Sequence, residues 1–402
     1  MNNTPNANRL HIGIYGRRNV GKSSLLNLLT GQQVALVSST PGTTTDPVRK
    51  AMELPQIGPC LFIDTAGFDD DDVTLGEARC LLTEKTLDEV DVALLVLGAN
   101  GMSSDTGDLK FEKEWLARLK KRSIPAIIIM SNCESLTDAE MESLVADVAA
   151  QLGKRPVVAK NRQILIDAIL AHLPEDFGTQ TITGELCKAG DLVLLVMPQD
   201  IQAPKGRLIL PQVQTMRELL DKKCLVMSCT TDQLSATLAV LNQAPHLIIT
   251  DSQVFSEVYA LKPESSLLTS FSVLMAGYKG DIRRFVEGAN VVSRLTSESR
   301  VLIAEACTHT PQTEDIGRVK LPRLLYKRVG EGLRIDHVNG RDFPSAESLR
   351  DYDLVIHCGA CMFNRQLVMS RLATASEAQV PMTNYGIAIA ALTGILDKVS
   401  FA

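Results

Sequence analysis

Three α/β domains in series are what this chain predicts, on three observations. Short apolar runs alternate with amphipathic stretches along all 402 residues, two polar breaks divide them, and two motif clusters sit far apart in the sequence. A prior of about 150 residues per domain agrees with two or three cores. In the first block, 1–175, strands are expected at Leu10–Tyr15, Pro59–Ile63, Val92–Leu97 and Ala126–Met130. Helices are expected from Lys22, at Leu109–Lys121, at Asp138–Gln151 and at Gln163–His172. Such alternation argues for a parallel sheet covered on both faces. The second block, 176–265, repeats the pattern, with strands at Asp191–Met197, Lys223–Ser228 and His246–Thr250 between helices at Leu210–Leu220, Leu234–Gln243 and Val254–Ala260. It carries no catalytic constellation and reads as an association module. The third block, 266–402, has a helix around Asp281–Ser293, strands at Arg300–Glu305 and Leu354–His357, and a final helical region at Val380–Asp397.

Composition narrows the function. Charged residues make up 22% and the net charge is −6, so no basic field exists to hold nucleic acid. No run approaches the roughly 18 apolar residues of a membrane span. The polar amino terminus, Met1–Arg9, has no signal-peptide core and is expected to fray before Leu10. A cytoplasmic location follows as an expectation. There, nine cysteines are not a disulfide framework. Six are scattered, mostly within apolar runs; Cys307, Cys358 and Cys361 are not.

Gly16-Arg17-Arg18-Asn19-Val20-Gly21-Lys22-Ser23 fits G-x-x-x-x-G-K-S between a strand and a helix. The glycines let backbone N–H groups curl round phosphates at the helix start. Lys22 then reaches the β- and γ-phosphates and the Ser23 hydroxyl binds Mg2+, with Val20, Gly21 and Ser24 completing the nucleotide contacts. Pro41-Gly42-Thr43-Thr44-Thr45-Asp46 is a switch-type loop whose Thr43 or Thr44 joins the magnesium. In Asp64-Thr65-Ala66-Gly67, Asp64 holds magnesium through water and the Gly67 N–H senses the γ-phosphate. Val158-Ala159-Lys160 lies where the loop behind a guanine base belongs. Lys22, Thr44, Asp64 and Gly67 are the expected catalytic set for GTP.

These residues resemble the translation-factor-like GTPases of the tRNA-modifying and ribosome-assembly type. The resemblance implies a potassium ion beside Asn19 that stimulates hydrolysis. Phe68 follows Asp-Thr-Ala-Gly, and a phenyl ring cannot orient an attacking water, so turnover is expected to be slow. One element departs from the pattern. The guanine-reading Asn-Lys-x-Asp stands here as Asn132-Cys133-Glu134-Ser135, without the Asp that takes two hydrogen bonds from the base. Glu134 substitutes only if the loop shifts by one residue, which leaves discrimination of GTP from ATP open.

Cys307-Thr308-His309 and His357-Cys358-Gly359-Ala360-Cys361 form C-x-H…H-C-x-x-C, with 47 residues between the histidines. Each half follows an expected strand, which can aim both loops at one point. Three thiolates plus a further ligand suit zinc or a 4Fe-4S cluster equally on spacing. Together with the P-loop and the middle α/β block, the arrangement resembles the iron–iron hydrogenase maturation GTPases over the whole chain. The resemblance implies a 4Fe-4S cluster on Cys307, Cys358 and Cys361, and a transient two-iron precursor as cargo. It also implies two radical-SAM maturases and the apo iron–iron hydrogenase as partners, and a homodimer formed through the middle domain. Candidates for the fourth cluster ligand, or for groups behind the ligands, are His309, His357 and Glu314, Glu314 ranking first because a hard carboxylate on a thiolate cluster exchanges readily. The rival readings are a tRNA-modification-type GTPase with a structural zinc, and a redox sensor with a vestigial nucleotide site.

Overall fold

The computed structural model describes residues 4–31, 47–65, 67, 82–99, 109–174, 177–198, 208–306 and 315–402. The chain divides into two compact units, Met1–Phe177 and Gly178–Ala402.

The first unit is built on a six-stranded sheet of β1 (Leu10–Gly16), β2 (Val48–Leu54), β3 (Gly58–Asp64), β4 (Val92–Gly98), β5 (Ala126–Ser131) and β6 (Val157–Val158), in the order β2-β3-β1-β4-β5-β6. Only β2 runs antiparallel, against β3. Strands β1 and β5 are buried along their whole length, which is why they read as largely apolar runs, broken in β1 by His11. The sequence reading missed β2, Val-Arg-Lys-Ala-Met-Glu-Leu. It is an edge strand, largely exposed, and its charges keep that edge soluble rather than marking it as sheet. The helices Lys22–Thr30, Lys110–Lys121, Asp138–Leu152 and Arg162–Leu170 fall within a residue or two of expectation. The amino terminus does not fray over its described part. Asn6–Asn8 forms a 3-10 turn, Ala7 and Arg9 are buried, and His11 Nε2 lies 2.9 Å from the Asn6 carbonyl.

The second unit holds two parallel four-stranded sheets. One is β7 (Leu192–Val196), β8 (Leu225–Cys229), β9 (Leu247–Thr250) and β10 (Leu267–Ser270), ordered β10-β9-β7-β8. The other is β11 (Arg300–Glu305), β12 (Arg334–Asn339), β13 (Leu354–His357) and β14 (Met382–Asn384), ordered β12-β11-β13-β14. The boundary expected at 265/266 is too early. Leu267–Ser270 pairs in register with β9, and Phe271 and Leu274 of the next helix, Phe271–Lys279, enter the core of the middle sheet. Residues 263–266 bear turn signals because they connect the helix Phe255–Leu261 to β10 within one sheet, not two domains.

The region Val380–Asp397 is also corrected. Its first residues form β14, with the Val355 N–H bonded to the Pro381 carbonyl at 2.9 Å, and only Tyr385–Leu392 is α-helical. The sequence reading did not foresee β12 or the helices Leu321–Val329 and Arg365–Glu377. Both sheets share one apolar core, in which Leu194 and Ile248 of the first belong with Leu302 and Val355 of the second. The carboxy-terminal tail ties them further, since the Ser400 N–H donates to the Leu268 carbonyl at 2.8 Å. Among the described residues, no helix is long and apolar enough to cross a membrane.

Candidate functional site

In the first unit the loop between β1 and the helix Lys22–Thr30 turns at two glycines. Gly16 has φ 154°, and a Cβ there would meet the Val96 carbonyl oxygen at 2.5 Å. Gly21, at φ 93°, occupies the position before Lys22, where a side chain would press on Ser131 and Asn132. Both positions demand glycine, so the helix start remains accessible to phosphate. Asn19 adopts the left-handed region at φ 58° between them. The Lys22 ammonium lies along the loop, bonded to the Gly16 and Arg17 carbonyls at 2.9 and 2.7 Å. Arg17 is gripped by Glu112 in a two-pronged pair at 2.7 and 2.8 Å, its guanidinium above the Phe111 ring.

Ser23 Oγ donates to Asp64 Oδ2 at 3.5 Å, while buried Asp64 Oδ1 has no hydrogen-bond partner. Burial pushes the Asp64 carboxyl up, and the Lys22 charge and the Ser23 hydroxyl pull it back. A buried carboxylate oxygen beside a serine hydroxyl at a helix start is a donor set that fits magnesium with phosphate. Ser24 is exposed on the first turn of the helix and Val20 packs against the core beside β1. Gly67 is described and half-buried, whereas Thr43, Thr44 and Phe68 lie outside the described residues.

The far wall is the turn after β5. Ser131 Oγ donates to the Val20 carbonyl and, at 3.1 Å, to that of Leu97, and Asn132 follows at φ 54°. The loop 158–160 runs beside it, with the Ala159 N–H on the Met130 carbonyl at 2.9 Å and Lys160 Nζ 3.7 Å from Asp138.

In the second unit, β11 and β13 are parallel neighbours, with Ala304 opposite His357, so their carboxyl ends open side by side. Cys358 Sγ accepts the N–H groups of Ala306 at 3.1 Å and Ala360 at 3.4 Å. Burial pushes the Cys358 thiol up while these two N–H groups pull it down. Ala306 is the chain neighbour of Cys307, which, with His309 and Glu314, lies outside the described residues. Among the described residues, no group of three or more His, Cys, Asp or Glu side chains forms a metal site. The Cys358–Cys361 corner turns on Ala360, held at φ 46°.

His357 is fully buried, and burial holds its imidazole down at about 3, with Arg371 pushing the same way. The neutral ring accepts Arg371 Nη1 on Nε2 at 2.8 Å, which leaves the Nδ1 proton for the Cys358 carbonyl at 2.7 Å. Both ring nitrogens are used, so His357 braces the backbone of Cys358 and has no lone pair left for a metal.

Lys279, Asn384 and Arg371 also hold this corner. Lys279, 2% exposed, donates from Nζ to the carbonyls of Ala360, Cys361 and Phe363 at 2.9, 3.3 and 2.5 Å. Asn384 caps the helix Tyr385–Leu392 through the Gly386 N–H and reaches the Cys358 carbonyl with Nδ2 at 3.4 Å. Arg371 is the third, through His357. In the sequence, Tyr278–Asp281 and Asn384–Gly386 are glycine-bearing turns that could line the site, while Arg371 carries no such mark.

Family models match 182–280 as a hydrogen maturase F dimerization domain and 283–400 as its tetramerization domain, together more than half the chain. The chain belongs to the hydrogen maturase F family. Residues 11–132 match the 50S ribosome-binding GTPase model, so this family member carries a GTPase domain ahead of its two oligomerization domains. Its curated relatives align over the GTPase part. GTPase Era of Caldicellulosiruptor saccharolyticus is 28% identical over 170 residues, 41% of this chain and 55% of the relative. tRNA modification GTPase MnmE of Hamiltonella defensa is 31% identical over 177 residues, 42% of this chain and 35% of the relative. The chain thus spans about half the length of the Era relatives it matches. A solved structure of Era with MgGDPNP and a segment of 16S ribosomal RNA aligns at 19% identity and TM-score 0.35, over 55% of this chain and 92% of that one. The models also divide the second unit near 281, later than the expected 265/266 and in agreement with β10 and the helix Phe271–Lys279.

Replacing Lys279 by Met strips three carbonyls of their donor at an interior site, where each unsatisfied group costs about 1–3 kcal/mol. Urea unfolding of the second unit is expected to show a loss of at least about 2 kcal/mol. A change below about 0.5 kcal/mol, the usual size for a surface substitution, would show that Lys279 does not hold the corner.

Proposed function

We propose that this family member is a slow, potassium-stimulated GTPase whose second unit carries a 4Fe-4S cluster on Cys307, Cys358 and Cys361. Its physiological task is to hold a two-iron precursor, received from two radical-SAM maturases, and hand it to the apo iron–iron hydrogenase. The observation that carries the reading is the double N–H donation to Cys358 Sγ from Ala306 and Ala360, at the mouth of two adjacent parallel strands in a hydrogen maturase F chain. Backbone N–H groups aimed at sulfur stabilise a thiolate, the form that binds iron. When bound, the cluster would supply an iron with an exchangeable position for cargo. Around it, Lys279, His357, Arg371 and Asn384 fix the corner, and Glu314 or His309 is the candidate fourth ligand. His357 is assigned the supporting place. The free cysteines, among the described residues, suit a reducing cytoplasm.

In the GTPase domain, Lys22 neutralises the phosphates, Ser23, Asp64 and Thr44 hold Mg2+, and the Gly67 N–H reads the γ-phosphate. Asn19 offers its carboxamide to K+. Contacts to the rest of the nucleotide are assigned to Gly16, Val20, Gly21, Ser24, Thr43, Asn132, Ala159 and Lys160. A second copy is expected to pair along β8. This edge strand exposes Leu225 and Met227, and Val213 and Leu220 of the nearby helix Leu210–Asp221 are also exposed.

Protein purified without oxygen is expected to hold about four irons and four sulfides per chain, lost in Cys358→Ser. One zinc without sulfide would remove the cluster carrier and leave a GTPase with a structural zinc. GTP hydrolysis is expected to run faster in KCl than in NaCl at equal ionic strength, and equal rates would remove potassium from Asn19. Leu225→Lys is expected to halve the mass seen by light scattering if β8 joins a dimer; an unchanged mass would place the contact elsewhere.

A further inference from the structure

The turn after β5 is anchored to the phosphate loop, so its side chains are the ones positioned to meet the base of a bound nucleotide. Ser131 Oγ bonds to the Val20 carbonyl, and the Asn132 carboxamide packs at Gly21, within 3.1 Å of where a Cβ would stand. Guanine differs from adenine by presenting two donors, N1–H and the N2 amino group, beside an O6 acceptor. A site that selects guanine therefore needs a free carboxylate facing that edge and a free N–H facing O6.

Neither is present. Beyond Asn132 come Cys133, half-buried with Sγ 3.4 Å from the Ser131 carbonyl, and then the exposed Glu134 and Ser135, the turn closing through Leu136 N–H to the Cys133 carbonyl at 3.2 Å. At the third position after Asn132 stands a hydroxyl, which has neither the charge nor the paired oxygens to take two donors. The nearest following carboxylates, Asp138 and Glu140, belong to the first turn of the helix Asp138–Leu152 rather than to this turn. Asp138 pairs with Lys160 at 3.7 Å, and Glu140 Oε2 takes the Thr137 N–H at 2.8 Å and its hydroxyl at 2.7 Å. On the opposite side, the two N–H groups that could meet O6 are spent within the fold. That of Ala159 goes to the Met130 carbonyl at 2.9 Å and that of Lys160 to the Val158 carbonyl at 2.8 Å.

We infer that this site selects purine nucleoside triphosphates through their phosphates and magnesium, and does not discriminate guanine from hypoxanthine or adenine. The inference rests on the nucleotide site proposed above and goes beyond it in naming the substrate class. Sites built to bond a substrate's donors reject analogues without them by roughly 10⁴-fold or more.

Calorimetric titration of the full chain with the magnesium complexes of GTP, ITP and ATP is the test. The three dissociation constants are expected to fall within about tenfold of one another, since no charge-assisted bond to the base separates them. Ser135→Asp, a change at an exposed turn residue, is expected to raise the preference for GTP over ATP by at least about a hundredfold, the worth of two such bonds. A wild-type preference for GTP of about a thousandfold or more would overturn the inference while leaving the nucleotide site standing, and its loss in Glu134→Gln would name the carboxylate responsible. An unchanged ratio in Ser135→Asp would overturn it too. If none of the three nucleotides binds, the nucleotide-site reading falls and the inference with it.

Discussion

Parallel strands point the same way, so the loops leaving their carboxyl ends open along one edge of a sheet, and the described candidate loops sit on such edges. The phosphate loop leaves β1, Asp64 ends β3, Asn132 follows β5 and Ala159 follows β6. In the second unit, Ala306 follows β11, Cys358 follows β13 and Asn384 ends β14. Helices return the chain on the outside of each sheet, which forces the strands to be buried and apolar. The chemistry is thereby confined to the loops, where polar backbone groups escape the ladder and can meet a ligand. Ser23 and Asp64 are 41 positions apart and meet because β1 and β3 are neighbours in register.

The two edges handle charge differently. At the nucleotide loop, positive potential comes from a helix start and one lysine, and the buried Asp64 oxygen is left for a cation to complete. At the cysteine corner many of the described polar groups are already bonded within the fold. Lys279 fills three carbonyls, His357 spends both nitrogens, and Cys358 Sγ receives two N–H groups. A corner fixed in this way can receive a metal centre with little reorganisation, whereas the nucleotide loop keeps an oxygen whose pairing depends on what binds.

Legibility followed the physics of burial. The P-loop was readable because two glycines and a lysine are needed at fixed spacing, and β1, β4 and β5 because burial on both faces makes a largely apolar run. Edge strand β2 escaped because Arg49, Lys50 and Glu53 interrupt its apolar residues, and β10 because a turn-rich tetrapeptide before it looked like a linker. Lys279 escaped for a sharper reason. A lysine is nearly always a surface residue, and only the fold shows three inward carbonyls around this one. Its signal was the Lys279-Gly280-Asp281 turn, in which Asp281 caps the next helix through the N–H groups of Arg283 and Arg284. In the same way, a histidine beside a cysteine reads as a ligand until Arg371 is seen on its far nitrogen.

Weak reading of the base is compatible with a regulatory nucleotide. A switch works through the difference in affinity between the states it biases, and a contact equally strong in both states shifts nothing. Base contacts are of that kind, because the base is the same before and after loss of the γ-phosphate. A carboxylate on guanine tightens triphosphate and diphosphate alike, and a serine in its place would weaken both alike. On the proposed assignment, the ratio that would drive the switch is set where the γ-phosphate would lie, among Lys22, a magnesium on Ser23 and Asp64, and the N–H of Gly67. A chain that keeps those residues and gives up the base carboxylate retains its switching free energy and surrenders only its choice of purine.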